Sequence, residues 1–519
     1  MSYTKESSSY RQTSPADDAA SFNDAGPEAS SSLSSISRTH HIYDASYQSQ
    51  TGEKAQIAYT ATAGYQELVE ETISDGYTQE PRNSGHVFLT TYEADREHDE
   101  GGVSSGGRPV IFAFNGGPGT SSAWLHLGLL GPRIVEPFAE GSTHPKAAPY
   151  TLLDNRLSPI AYADIVIIDA ISTGYSRTAN GEQADHFHES HVDVLTFSEI
   201  IREWVTQHER WSDPLYIVGE SYGVLRASAV ADYLARRDGI YISGLVLISS
   251  PITLGRMDFN PGSILGSHAF LPSYAAVAHY HGFNANRTLE EVVAEAEDFA
   301  DTQYLWALNQ GNRLSETQRS SIIATLSRLT GLQSSYIDQA NLIIEPGHFR
   351  AELLRKNKQS IGRYDGRITG SDEDQNNTTP ESDATEQAVR GVFAAGINSY
   401  LREELKYKND LAYNLDTDQV RPWRIPADQT LNPFNALRPL ARVLRTNVNL
   451  RVLYQLGKYD LCTPFWGAQS DVSLLHIPQE SRQSIEIHTF NSGHMIYLDP
   501  ASREIELTQI RQFITSPRP

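Results

Sequence analysis

Cysteine is almost missing from this sequence: one residue, Cys462, in 519. A lone thiol can form no intramolecular disulfide, which excludes a disulfide-stapled scaffold and points to a reducing compartment. Long apolar runs are missing as well. No stretch of about eighteen apolar residues occurs, so no membrane-spanning helix and no membrane partner are expected. The opening run MSYTKESSSYRQTSPADDAASF has one early Lys and no apolar segment behind it. No secretory signal is therefore expected, and the expected location is cytoplasmic. Positive charge is the third shortage. Lys and Arg number 42 against 64 Asp and Glu, a net charge of −22. A surface that acidic repels phosphate backbones, so nucleic acid is excluded as an expected partner.

What is present suits a folded core. Hydrophobic residues make up 39% of the chain and charged residues 20%, enough apolar surface to offset the entropy of ordering. The length allows a large core plus an insertion. Residues 1–38 are the exception: rich in Ser, Asp, Glu and Ala, they read as a disordered tail. Short β-like runs, AQIAYTATAGY and GHVFLTTYEA, follow, and the charged, Gly/Ser-rich stretch 95–108 reads as a loop.

Compact apolar strands then alternate with helical patterns. The strands are PVIFAF (109–114), DIVIID (164–169), LYIVG (215–219), LVLISS (245–250), RVLYQL (451–456) and SIEIHTF (484–490). Continuous apolar runs, not alternating ones, imply burial on both faces, as in a parallel sheet covered by helices. Amphipathic segments at 192–211 and 224–238 supply such helices, so the fold class is α/β. Residues 256–441 break the rhythm with helical stretches and a polar run at 370–386. They read as an inserted helical lid with a flexible loop, dividing a core of 39–255 and 442–519.

The segment Gly219-Glu220-Ser221-Tyr222-Gly223 lies between an apolar strand and an amphipathic helix. Glycines two residues either side of a serine permit the sharp turn that exposes its hydroxyl at the tip of a sheet, the nucleophile elbow of the α/β-hydrolase fold. A serine needs a base to take its proton, and the base needs an acid to hold its tautomer. In this fold the chain order is serine, acid, histidine. Asp460, just past RVLYQL, and His494, just past SIEIHTF, both sit at strand ends where α/β folds place such groups. The gap between Ser221 and Asp460 is too long for one crossover, and the insertion accounts for it. The candidate catalytic residues are thus Ser221, Asp460 and His494. Asn115-Gly116-Gly117-Pro118-Gly119 ends strand PVIFAF, and its glycines let backbone amides approach a developing oxyanion. The amides of Gly117 and Tyr222 are the expected donors. The histidines of HFHESH (His186, His188, His191) have metal-like spacing, but no second cluster accompanies them. They read as solvated or structural, and no metal or cofactor is expected.

Taken together, NGGPG at 115–119, GESYG at 219–223, Asp460 and Gly493-His494 resemble the serine carboxypeptidase family, peptidase family S10. Residues 169–176, DAISTGYS, are similar to a further family segment, departing from it at Ala170 and Ser172, where Pro and Gly are usual. FLPSYAA (270–276), GRYDGR (362–367) and Gly493-His494-Met495 resemble the bacterial-type branch. The resemblance implies a peptide substrate with a free C-terminus, cleaved at its last peptide bond. It also implies that Asn115, Gly116 and Glu220 recognise the terminal carboxylate. A carboxyl beside a carboxylate must share a proton with it, which favours mildly acidic pH. Proline iminopeptidases carry His where this chain has Asn115. Acyl transfer by a related enzyme, and a non-catalytic binding role on the same scaffold, remain as alternatives.

Overall fold

The structure, a computed structural model, describes residues 36–48, 56–70, 73–74, 77–78, 82–95, 107–139, 141–424 and 435–516. The expected tail (1–38) falls outside these residues up to 35, and its last two positions already belong to a strand. Most of the expected loop at 95–108 also lies outside them.

One mixed sheet organises the molecule. Its strands are β1 (Ser37–Asp44), β2 (Gln56–Glu70), β3 (Arg82–Ala94), β4 (Val110–Phe114), β5 (Asp164–Ile168), β6 (Leu215–Glu220), β7 (Gly244–Ile248), β8 (Arg451–Gly457) and β9 (Ile485–Phe490). They lie in the order β1-β2-β3-β5-β4-β6-β7-β8-β9, and a short strand, Arg177–Thr178, pairs on β3. From β5 to β9 every neighbour pair is parallel, whereas β1, β2, β3 and β5 pair antiparallel. The five residues of β4, β5 and β7 are all buried, as unbroken apolar runs require when both faces are covered.

The six expected strands match β4 to β9 closely. The largest difference is at the fourth, expected to end at 250. It ends at Ile248 because Ser249 turns out of the ladder with φ 52°, a left-handed conformation no strand continues through. Helices cover both faces. The longer ones are α1 (Ser190–Gln207), α2 (Tyr222–Arg237), α3 (Leu265–Tyr280), α4 (Leu289–Phe299), α5 (Glu316–Thr330), α6 (Ala384–Ser399), α7 (Leu437–Thr446) and α8 (Pro500–Thr515). Two apolar clusters result, one on each side of the sheet. Phe112, Ile217 and Leu247 face α1 and α2, while Ile111, Val218 and Val246 face the cluster that includes α6 and α8.

Between β7 and β8 the described residues run through α3 to α7 and add no strand to this sheet. Residues 372–381 fold back on themselves, the Glu381 carboxylate accepting the amides of Glu373 and Asp374. Asp383 then caps α6, accepting the amides of Thr385 and Glu386 at 2.8 and 3.0 Å, as N-cap aspartates do. Among the described residues no helix is long and apolar enough to cross a membrane.

Candidate active site

The chemistry-bearing residues sit just past the C-terminal ends of the parallel strands. β6 delivers Glu220 and Ser221, and α2 begins one residue later. Ser221 has φ 60° and ψ −129°, a strained geometry for a residue with a Cβ. It holds because its amide donates to Ile248 O at 2.9 Å and the chain closes tightly around it. A Cβ on Gly219 would stand 2.2 Å from Gly223 O, so only glycine fits there.

β8 and β9 deliver the next pair. His494 Nδ1 donates to Asp460 Oδ2 at 2.7 Å, across 34 residues of chain. Asp460 is fully buried. Its Oδ1 accepts the amides of Cys462 and Thr463 at 2.7 and 2.9 Å, and the Thr463 hydroxyl lies 2.6 Å from Oδ2. Its lone pairs are spoken for, which fixes the carboxylate plane and with it the imidazole. Burial lowers the His494 pKa, but the charge and hydrogen bond of Asp460, with Glu220 nearby, outweigh this and raise it above the usual histidine range. Ser221 and His494 line one cavity. Among the described residues no hydrogen bond joins them, a looseness common in unliganded sites.

The Gly-rich loop after β4 approaches the elbow from the other side. A Cβ on Gly116 would stand 2.4 Å from the Tyr222 amide nitrogen, so a glycine is needed for the two backbones to meet. Gly117 has φ 102°. Among the described residues neither the Gly117 nor the Tyr222 amide donates to another protein group. Asn115 is committed: its Oδ1 accepts the Leu125 amide and its Nδ2 donates to Glu220 Oε2 at 3.0 Å. Glu220, 2% exposed, also accepts from the Tyr497 hydroxyl at 2.9 Å. Every side-chain partner it has is neutral, and burial pushes its pKa up to about 7, with His494, Tyr497 and Asn115 acting against the rise. The cavity that joins these groups measures about 350 Å³, and its walls include Asn115, Gly116, Gly117, Glu220, Ser221 and His494.

Several supporting residues escaped the sequence reading. Arg226, 1% exposed, grips Asp193 through two bonds of 2.8 and 2.9 Å and donates to Asn115 O at 2.6 Å. Its signal was visible: a charged side chain on the apolar face of α2. Asp169 accepts the Ser122 amide at 2.7 Å and the Tyr413 hydroxyl at 2.9 Å. The Gly-rich loop is also latched to the segment before β8, through Ser121 N to Leu415 O and Thr417 N to Gly119 O, both 2.8 Å. Tyr497 and Thr463 had no legible signal, because a lone hydroxyl acquires meaning only from its neighbours.

Other candidates fall outside this cavity. His188 is buried with Nε2 2.9 Å from the Ser172 hydroxyl. Ser172 holds φ 75° where the resembling family usually has glycine, so His188 braces a strained turn. The one close group of potential metal donors among the described residues is Asp460, Cys462 and His494, within 4.8 Å; there the acid and imidazole already bind each other.

Comparison with known proteins adds three findings. A family model described as serine carboxypeptidase matches residues 64–495. No curated protein matches the chain. Among solved structures, the prohormone-processing carboxypeptidase Kex1(delta)p of Saccharomyces cerevisiae superposes with a TM-score of 0.54 at 14% identity, covering 88% of this chain and 91% of that one. Proline iminopeptidase of Mycobacterium smegmatis gives 0.33 at 12%, covering 86% and 98%. At such identity the first likeness bears on the fold alone, and the second carries no weight.

Proposed function

The chain belongs to the serine carboxypeptidase family, and from that membership we propose that it releases the C-terminal amino acid of peptides through an acyl-enzyme on Ser221. The observation that carries this reading is the Glu220–Asn115 pair, 3.0 Å apart, in the wall of the cavity that also holds Ser221 and His494.

In this reading the Ser221 hydroxyl attacks the carbonyl carbon of the last peptide bond while His494 Nε2 takes its proton. Asp460 holds the opposite nitrogen and stabilises the imidazolium. The oxyanion accepts from the free amides of Gly117 and Tyr222, whose positions cost no reorganisation during reaction. His494 then returns the proton to the leaving amine, and water repeats the cycle to free the acyl group. Glu220, with Asn115 and the Gly116 backbone, faces the substrate's terminal carboxylate. A carboxyl with a pKa near 7 is still protonated in mild acid and donates to that carboxylate; once ionised, it repels it. The 256–441 insertion acts as the lid over this cavity, contributing Arg363, Tyr364 and Asp416 to its walls.

N-blocked dipeptides as free acids, their C-terminal amides and a Ser221→Ala control test the proposal across pH. Free acids should be cleaved well and amides poorly, with Ser221→Ala losing on the order of 10⁴-fold or more. Because Glu220 binds its proton until about pH 7, KM on free acids should rise as pH rises through that value, while kcat follows the deprotonation of His494 and does not fall with it. Glu220→Gln should flatten this limb. Amides cleaved as well as acids, or an unchanged limb in Glu220→Gln, would remove the carboxylate role. No release by a folded enzyme that still labels at Ser221 with a fluorophosphonate would point to acyl transfer.

A further inference from the structure

Three arginines line the cavity: Arg363, Arg390 and Arg421. Two are paired. Arg390 bonds Glu386 and Asp416 at 2.7 and 2.9 Å, and Arg421 lies 3.2 Å from Asp418. Among the described residues the Arg363 guanidinium forms no hydrogen bond and no ion pair; it lies 5.6 Å from the centre of the Tyr364 ring, and the Asp383 and Asp460 carboxylates attract it from beyond bonding distance. It is exposed, yet it lines the same walls as Ser221 and His494.

The backbone beneath it is held firmly. The Arg363 amide donates to Asp383 Oδ2 at 2.7 Å, and its carbonyl accepts the Leu461 amide at 3.0 Å. Next door, Tyr364 O accepts the His494 amide at 2.6 Å, and Gly366 N donates to Tyr459 O at 2.9 Å. Residues 363–366 are thereby stitched to the loops that carry both Asp460 and His494. A rigid base under a free cation is what directional recognition needs, since little ordering remains to be done on binding. The neighbouring acids are already engaged: Asp460 by His494 and two amides, Asp383 by the α6 cap. The nearby Cys462 thiol, pushed up to about 11 by burial against the pull of Arg363, stays neutral near pH 7 and offers no anion.

We infer that Arg363 is a specificity residue that receives an acidic side chain, Asp or Glu, flanking the scissile bond. The inference rests on the carboxypeptidase reading and names the substrate class within it. A guanidinium presents a planar fork of donors that matches a carboxylate two bonds at a time, and no carboxylate among the described residues fills it. The acidic surface of the protein works against acidic peptides at long range, but salt screens that repulsion beyond about 8 Å, leaving the local cation to select.

The test is a matrix of N-blocked dipeptides: both residues neutral, Glu or Lys in the leaving position, and Glu or Lys in the acyl position. Arg363→Gln, Arg363→Lys and Arg363→Glu are compared with the parent enzyme after thermal melts show each to be folded. The ratio of kcat/KM for one Glu peptide to that for the neutral peptide should fall on the order of ten- to a hundredfold in Arg363→Gln, mostly in KM. Arg363→Lys should recover part of it, and Arg363→Glu should turn the preference toward Lys peptides. The peptide that responds identifies the side of the bond. An equal loss on every free acid would overturn the inference, because Arg363 would then grip the terminal carboxylate. Unchanged ratios would overturn it too, leaving a solvated arginine. If the parent enzyme cleaves no peptide at all, the carboxypeptidase reading fails first and this inference with it.

Discussion

Two stretches of chain meet across the cavity, and they are built by different means. The core side consists of the loops after β4 and β6, with Asn115, Gly116, Gly117, Glu220 and Ser221. Each loop follows a buried strand, and bonds to a strand end and to the first turn of a helix help to hold it, such as Ser221 N to Ile248 O and Arg226 to Asn115 O. The insertion side consists of residues 363–366 and 414–417. No strand of the main sheet delivers it. It is positioned by backbone hydrogen bonds to the core loops themselves, such as Arg363 O to Leu461 N and Ser121 N to Leu415 O. The core side therefore needs buried charge and exact backbone clearance, whereas the insertion side tolerates exposure and carries the free cation. Fixed chemistry sits on the sheet, and adjustable recognition sits on what crosses over it.

Arg226→Met gives the comparison its hardest test. Removing the guanidinium leaves Asp193 buried without its partner, under the carbonyl of Asn115. Breaking such a pair costs about 3–5 kcal/mol, read as a shift of the denaturation midpoint. A loss below about 1 kcal/mol would mean that the core side does not depend on this ion pair.

Gly116→Ala is more local. The new Cβ would stand 2.4 Å from Tyr222 N, forcing apart the two proposed oxyanion donors. The expected loss in kcat is on the order of 10²–10³-fold with the fold intact, and KM should rise too, because the Gly116 backbone also faces the terminal carboxylate. Unaltered kcat would place the oxyanion elsewhere.

Asp383→Ala, on the insertion side, should have the smallest effect. It removes the α6 cap and the anchor of the Arg363 amide, at a cost of about 1–2 kcal/mol. Amide exchange at residues 361–366 should speed up while that at β6 and β8 does not. Equal acceleration at β6 would show that the two sides unfold together.

Much of the core side was legible in the sequence. Its strands are unbroken apolar runs, and its turns need glycine at positions where a Cβ would collide. The apolar runs and the Gly219–Gly223 clearance act within about ten residues, so pattern reading reaches them, whereas Gly116 meets Tyr222 only through the fold. The order of serine, acid and histidine located Asp460 and His494 because strand ends are where a parallel sheet exposes such groups. The rest depended on pairs far apart in the chain. Tyr497 donates to Glu220 across 277 residues, and Arg226 braces Asn115 across 111. Arg363 is distinguished only by the lack, among the described residues, of a carboxylate paired with its guanidinium, a property of no residue by itself. The sequence alone determined which elements form and which residues can do chemistry, since those follow from side-chain periodicity and local sterics. Tertiary structure decided which carboxyl holds a proton near pH 7 and which arginine is left free, because burial and distant partners set both.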